Sequence, residues 1–206
     1  MTVSRRAKIA HLKKNDPILK IAMEGIELRG LAGRIGACGP FEALVEAMVS
    51  QQLSVKAADT IFARFVTLTP GRAFPTPREI AKMPEAKMRK CGLSKMKVSF
   101  VKDLAKKTLD ETLDFRHMDT MSDEEVIEHL TSVKGIGRWT AEMFLIFSLG
   151  RDDVFSYGDL GLRNAMRKIY KTKGMPTPAQ AEKITERWKP YRSLGLRYLW
   201  ASLKNK

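Results

Sequence analysis

Lys134-Gly135-Ile136-Gly137-Arg138, and further along Gly158-Asp159-Leu160-Gly161-Leu162-Arg163, hold the residue types in this chain best suited to chemistry. A Gly-x-Gly turn lets backbone amides approach an anion with no Cβ in the way. Lys134 and Arg138 add charge of the matching sign. Asp159 is a single acid at the start of a helical stretch, where an aspartate serves as an N-cap or as a fixed negative charge. Trp139, Trp188 and Trp200 can pack a core or stack on an electron-poor ring, a contact worth roughly 0.5–2 kcal/mol. The elements that position these groups are also legible. Ser122 and Glu125 form a capping box that opens a helix carrying Val126, Ile127 and Leu130. Ala141, Phe144, Leu145 and Leu149 recur at helical spacing beyond the glycines. The order is helix, glycine hairpin, helix, then an acid opening a third helix. An ordinary helix–helix turn has the same glycines, but its flanking cations in a strongly basic chain favour an anionic partner.

The chain has 206 residues, with 37 basic and 23 acidic side chains, so its formal charge is 37 − 23 = +14. That excess points to a polyanion, nucleic acid first. Cys38 and Cys91 are too few for a disulfide framework and imply a reducing compartment. No run is long and apolar enough to span a membrane, and Met1 to Ala10 lacks the apolar centre of a signal peptide.

The pattern is helical almost throughout, with no convincing alternating strand. Residues 1–14 read as a basic, flexible N-terminus. Asp16-Pro17 caps and starts a short helix to about Glu24. Gly30 to Gly39 reads as a loop. Phe41, Leu44, Val45, Met48 and Val49 make an apolar stripe, and Ser54 caps a second helix through Ala58, Ile61, Phe62 and Phe65. Thr76-Pro77-Arg78-Glu79 and Thr177-Pro178-Ala179-Gln180 are further helix starts. Lys95 to Leu113 reads as a basic amphipathic helix, Lys171 to Pro176 as a linker, and Pro190 begins or kinks the last helix. Apolar residues make up 44% of the chain, enough for a core in an all-α domain spanning 1–206.

Four blocks, in order, resemble the helix-hairpin-helix (HhH-GPD) superfamily of DNA base-excision glycosylases, and within it the alkylated-base, 3-methyladenine DNA glycosylase II type. They are Gly39-Pro40-Phe41-Glu42 through Ser50-Gln51-Gln52-Leu53-Ser54-Val55-Lys56-Ala57-Ala58; Val133 through Ala141; Asp152-Asp153-Val154-Phe155 running to Arg163; and Glu186 through Ser193 running to Trp200. The resemblance implies a two-lobed helical body with the active site in the cleft between lobes, and a hairpin at about 131–138. The family's additional N-terminal β-rich domain is not expected, because too few residues precede the Phe41 helix. Nor is the iron–sulfur cluster of some relatives, which needs four closely spaced cysteines.

By the same resemblance Asp159 is the catalytic carboxylate. It stabilises positive charge developing on the sugar, orients the attacking water as general base, or does both. Asp152 and Asp153 read as a solvated turn. Ser156 stands where the family often has proline, which would loosen that loop. The bifunctional branch places a lysine nucleophile where Trp139 stands, so the expected enzyme is monofunctional and leaves an intact strand bearing an abasic site. Trp139 and Trp200 match base-pocket positions, whereas Trp188 reads as structural. Gln52 is the expected wedge into the duplex, supported by Leu53. Lys134, Gly135, Gly137 and Arg138 are expected to hold a DNA phosphate. The carbonyls of Thr131, Val133 and Ile136 match a site for sodium or potassium that aids binding and does no chemistry. No cofactor is expected for catalysis, and His11, His117 and His129 are scattered.

The partner implied is double-stranded DNA with alkylated bases such as 3-methyladenine and 7-methylguanine, met by a monomer inside the cell: cytoplasmic at the nucleoid, or nuclear. Two rivals remain. A glycosylase for uracil or hypoxanthine would share the scaffold, and a non-catalytic DNA-binding module would keep the hairpin without needing Asp159 or the tryptophans.

Overall fold

Short polar caps set most of the helix boundaries. A computed structural model of the protein describes residues 3–28, 39–71 and 73–203. Among them are twelve α-helices and no strand. Thr76, Ser122 and Thr177 each accept the backbone N–H three residues on, while Glu79, Glu125 and Gln180 reach back to the cap N–H. Two orphan amides are satisfied at each of these starts. No helix of the described residues is long and apolar enough to cross a membrane.

The chain divides into two compact units, Met1–Gly33 with Gly150–Lys206, and Arg34–Leu149. The second holds α3 (Pro40–Ser50), α4 (Val55–Val66), α5 (Pro77–Lys82), α6 (Glu85–Lys90), α7 (Lys95–Leu109), α8 (Asp123–Thr131) and α9 (Arg138–Phe147). Helix α7 packs against α3, α5 and α6, and α8 lies on α9. Leu44, Met48, Phe65, Val98, Val101, Leu104, Leu130 and Leu145 form the core. At about 1.5–3 kcal/mol per fully buried large side chain, this packing holds the connecting turns in place. The basic helix expected to reach Leu113 stops at Leu109, where Asp110 caps it.

The other unit holds α1 (Arg5–Asn15), α2 (Pro17–Ala22), α10 (Leu160–Tyr170), α11 (Pro178–Thr185), a 3-10 turn (Glu186–Trp188) and α12 (Arg192–Ser202). The N-terminal stretch read as flexible is helix α1. Ser4 caps it, Leu12 is fully buried, and Lys8 pairs with Asp152 at 2.6 Å. The caps Asp16 and Ser54 stand as expected. Asp16 is fully buried, accepting from the N–H groups of Ile18 and Leu19, Tyr170 Oη–H at 2.6 Å and Trp188 Nε1–H at 2.8 Å. Four donors satisfy a carboxylate whose burial alone would be costly. Burial together with the Asp16 hydrogen bond pushes the Tyr170 hydroxyl pKa well up. Trp188, fully buried against this group, is structural as its position implied. The last helix begins at Arg192, two residues after Pro190, and the loop expected from Gly30 lies outside the described residues apart from Gly39.

Candidate active site and nucleic-acid interface

Asp159 is the N-cap of α10, and its Oδ1 accepts the Leu162 N–H at 2.5 Å. The same oxygen accepts the indole N–H of Trp200, on α12, at 3.0 Å. The cap fixes the side chain and the tryptophan fixes its orientation. Gly161 permits this closeness, since a Cβ there would lie 3.2 Å from Asp159 Oδ1 and 3.8 Å from Trp200 Nε1. Trp200, read from its position as a stacking surface, is half-buried and also a donor to the acid.

The loop that carries Asp159 is anchored. Asp152 and Asp153 were expected in a solvated turn; Asp152 is exposed there, and both also make bonds that anchor the loop. Asp153 Oδ1 accepts from the Arg192 backbone N–H at 3.2 Å and its Nε at 2.8 Å, and the Asp152 carbonyl accepts the Ser193 N–H at 3.0 Å. Ser193 Oγ accepts the Val154 N–H at 2.9 Å. Ser156, which was expected to loosen the loop, is fully buried.

In the other unit, Gly135 and Gly137 differ in role. Gly135 has φ +83°, and a Cβ there would stand 2.2 Å from Phe100 Cδ2. Only glycine fits. Gly137 has an ordinary φ of −93° and open space around it. It is the N-cap of α9, a helix that begins with no side-chain cap. The Lys134 side chain is exposed, and its backbone N–H donates to Asp103 Oδ2 at 2.9 Å.

Arg138 was expected beside a phosphate, and its side chain makes ion pairs within this unit. Its guanidinium donates to both oxygens of Glu124 at 3.0 and 2.6 Å and to Glu142 Oε1 at 3.0 Å. The side chain thus joins α8 to α9. Trp139, next in α9, is 46% exposed and so is not a core residue. Of the three carbonyls matched to a cation site, that of Val133 accepts the Ile136 N–H at 3.1 Å. Among the described residues no backbone hydrogen bond ends on the carbonyls of Thr131 or Ile136. A set of neutral oxygens suits a hard monovalent ion, so the residues fit the group.

The loop expected to supply the wedge joins α3 to α4. Gln52 is exposed at its tip with φ +57°, and Leu53 is 39% exposed beside it. Left-handed backbone is uncommon for a non-glycine residue and clusters at functional sites. Gln51 turns inward, donating from Nε2 to the Gly135 carbonyl at 2.9 Å. Lys97 on α7 donates to the carbonyls of Val49 at 2.6 Å and Gln51 at 2.7 Å, and burial lowers its ammonium pKa. Sequence reasoning missed Gln51, Lys97, Phe100 and Asp103. The available signal was the shared face of Lys97, Phe100 and Asp103, spaced three residues apart on a helix.

Glycine hairpin, capped acid and anchored loop together ask for comparison with known proteins. The family model described as "HhH-GPD superfamily base excision DNA repair protein" matches residues 45–190. The chain belongs to the HhH-GPD superfamily. It is a DNA glycosylase of base excision repair and binds DNA. Similar proteins include DNA-3-methyladenine glycosylase 1 of Schizosaccharomyces pombe, 43% identical over 166 residues that cover 80% of this chain and 73% of that protein. Among solved structures, the fission yeast 3-methyladenine DNA glycosylase in complex with abasic DNA superposes with a TM-score of 0.83 and 38% identity, covering 94% of this chain and 95% of the other. A DNA-3-methyladenine glycosidase from Bacillus halodurans superposes at 0.80 with 33% identity, covering 96% and 88%. The all-α HhH-GPD fold expected from the sequence is the fold observed.

Proposed function

We propose that this chain acts as a monomer on double-stranded DNA and hydrolyses the N-glycosidic bond of alkylated purines, 3-methyladenine and 7-methylguanine among them. The observation that carries the reading is Asp159, held by the start of α10 and the Trp200 indole. As the bond from sugar to base breaks, the base leaves with the electron pair and positive charge develops on the deoxyribose. A fixed carboxylate stabilises that charge and can take a proton from the attacking water. An alkylated purine is cationic before the bond breaks and leaves as a neutral base, so it needs no strong acid. Exposed indole at Trp139 offers such a ring a stacking and cation–π surface. The names of the similar proteins support the same substrate class.

Trp139 also stands where the lyase branch carries its amine, so no Schiff base forms there and the strand stays intact. The hairpin holds a phosphate at the start of α9, with Lys134 adding charge. A sodium or potassium ion would sit on the carbonyls of Thr131, Val133 and Ile136 and strengthen the hold on phosphate. The test is incubation with methylated duplex DNA and identification of what is released. Free 3-methyladenine and 7-methylguanine, an alkali-labile but unbroken strand and no adduct trapped by borohydride are expected. Release of uracil or hypoxanthine instead, or a trapped adduct, would overturn the reading.

A further inference from the structure

Four side chains of α7, at positions 97, 100, 103 and 107, share one face of the helix. Each touches a segment that the proposed function places against DNA. Lys97 holds the last carbonyls of α3 and the first residue of the wedge loop, through Val49 and Gln51. A cation on those carbonyls also meets the negative end of the helix dipole. Phe100 fills the space beside Gly135 that its missing side chain leaves. Asp103 accepts the Lys134 N–H at 2.9 Å and pairs with Lys107 at 3.6 Å, while Lys107 donates to the Ser132 carbonyl. Gln51 then links the wedge loop directly to the hairpin at Gly135.

We propose that this face of α7 locks the wedge loop and the hairpin into one rigid DNA-gripping piece, with Lys97, Gln51 and Asp103 as positioning residues for base flipping. Lys97 belongs to a basic helix, and a phosphate contact is the obvious reading of such a lysine. Its ammonium is instead turned inward onto two carbonyls, where it holds Gln52 in its left-handed conformation at the loop tip. The wedge is thereby set at a fixed offset from the phosphate grip before DNA arrives. Such preorganisation removes an ordering cost from the flipping step.

The inference rests on Gln52 as the wedge, and the experiment separates the two ideas. The probe is a duplex carrying 2-aminopurine beside a tetrahydrofuran abasic analogue, whose fluorescence rises when the base is unstacked. Gln52→Ala should abolish the rise. Lys97→Met should slow it about tenfold, as expected for losing a charge-assisted hydrogen bond, while affinity for undamaged duplex stays within about twofold because no phosphate contact is removed. Lys97→Arg should restore the rate. Gln51→Leu should slow unstacking as Lys97→Met does, and it carries the test should the buried lysine prove necessary for folding. Asp103→Ala should weaken binding to damaged and undamaged duplex alike. Normal unstacking by both Lys97→Met and Gln51→Leu, with Gln52→Ala silent, would overturn the brace alone. Normal unstacking by Gln52→Ala would overturn the wedge reading and the brace with it.

Discussion

Helices α9 and α10 begin in opposite ways. At α10 the carboxylate of Asp159 takes the Leu162 amide and the Trp200 indole. At α9 the cap is Gly137, which brings no side chain to the amides behind it. A helix start is electropositive in both cases. In one unit the protein satisfies it internally, and the satisfying group becomes a fixed acid. In the other the cap brings no side chain, which suits the phosphate contact proposed there. On the proposed function, the same local physics yields a reagent in one place and a receptor in the other.

The comparison can be broken most sharply at its acid. Asp159→Asn keeps an N-cap oxygen but removes the charge. Excision from methylated duplex should fall by more than about a hundredfold, with DNA affinity changed only a few-fold. Near-normal turnover would mean that Asp159 is a cap and nothing more. Gly137→Asp makes α9 begin as α10 does. The new carboxylate should cap the helix and leave melting unchanged or slightly raised, while binding to any duplex weakens by on the order of tenfold through repulsion of phosphate. A variant that binds normally would show that DNA is held elsewhere.

Gly135→Ala is the contrast within the hairpin. Its positive φ and the contact with Phe100 should cost on the order of 2 kcal/mol of stability, read as a lower denaturation midpoint. Trp200→Phe keeps an aromatic face but deletes the bond to Asp159, so turnover at saturating DNA should drop about tenfold with the fold intact. The smallest effect belongs to Glu124→Gln. Its ion pair with Arg138 joins side chains 67% and 59% exposed, and such a pair contributes roughly 0–1 kcal/mol, so melting should barely move. A large loss would mean that Arg138 matters more to the fold than its exposure implies.

These same residues show what a sequence can reveal. Caps are local: Ser122 with Glu125, Thr76 with Glu79 and Thr177 with Gln180 all lie within one turn, and each opens the helix it was read to open. Helix α1 has a weaker signature, because Leu12 is its only buried residue and no apolar stripe marks it. Its place is secured by Lys8 on Asp152 and by Arg5 on the Leu28 carbonyl, partners that local pattern does not reveal. The functional motifs were legible as blocks, but not the bonds between blocks. Arg138 could be placed beside the hairpin, yet its capture by Glu124, fourteen residues upstream, could not be read from spacing. The Trp200 bond to Asp159 and the Gln51 bond to Gly135 span 41 and 84 residues. Composition and periodicity record what a residue can do, and packing decides which partner reaches it first.

Asp16 carries a consequence for how the protein is made. Two of its four donors, Tyr170 and Trp188, lie 154 and 172 residues further along the chain. A ribosome finishes the contiguous middle of the chain, with its hairpin and wedge loop, before it reaches α10. That middle can close while the tail is still being synthesised. The unit drawn from both ends cannot, because its central carboxylate waits for a tyrosine and a tryptophan not yet joined to the chain. On the proposed function, birth order therefore builds the part that grips DNA first and adds the acid last.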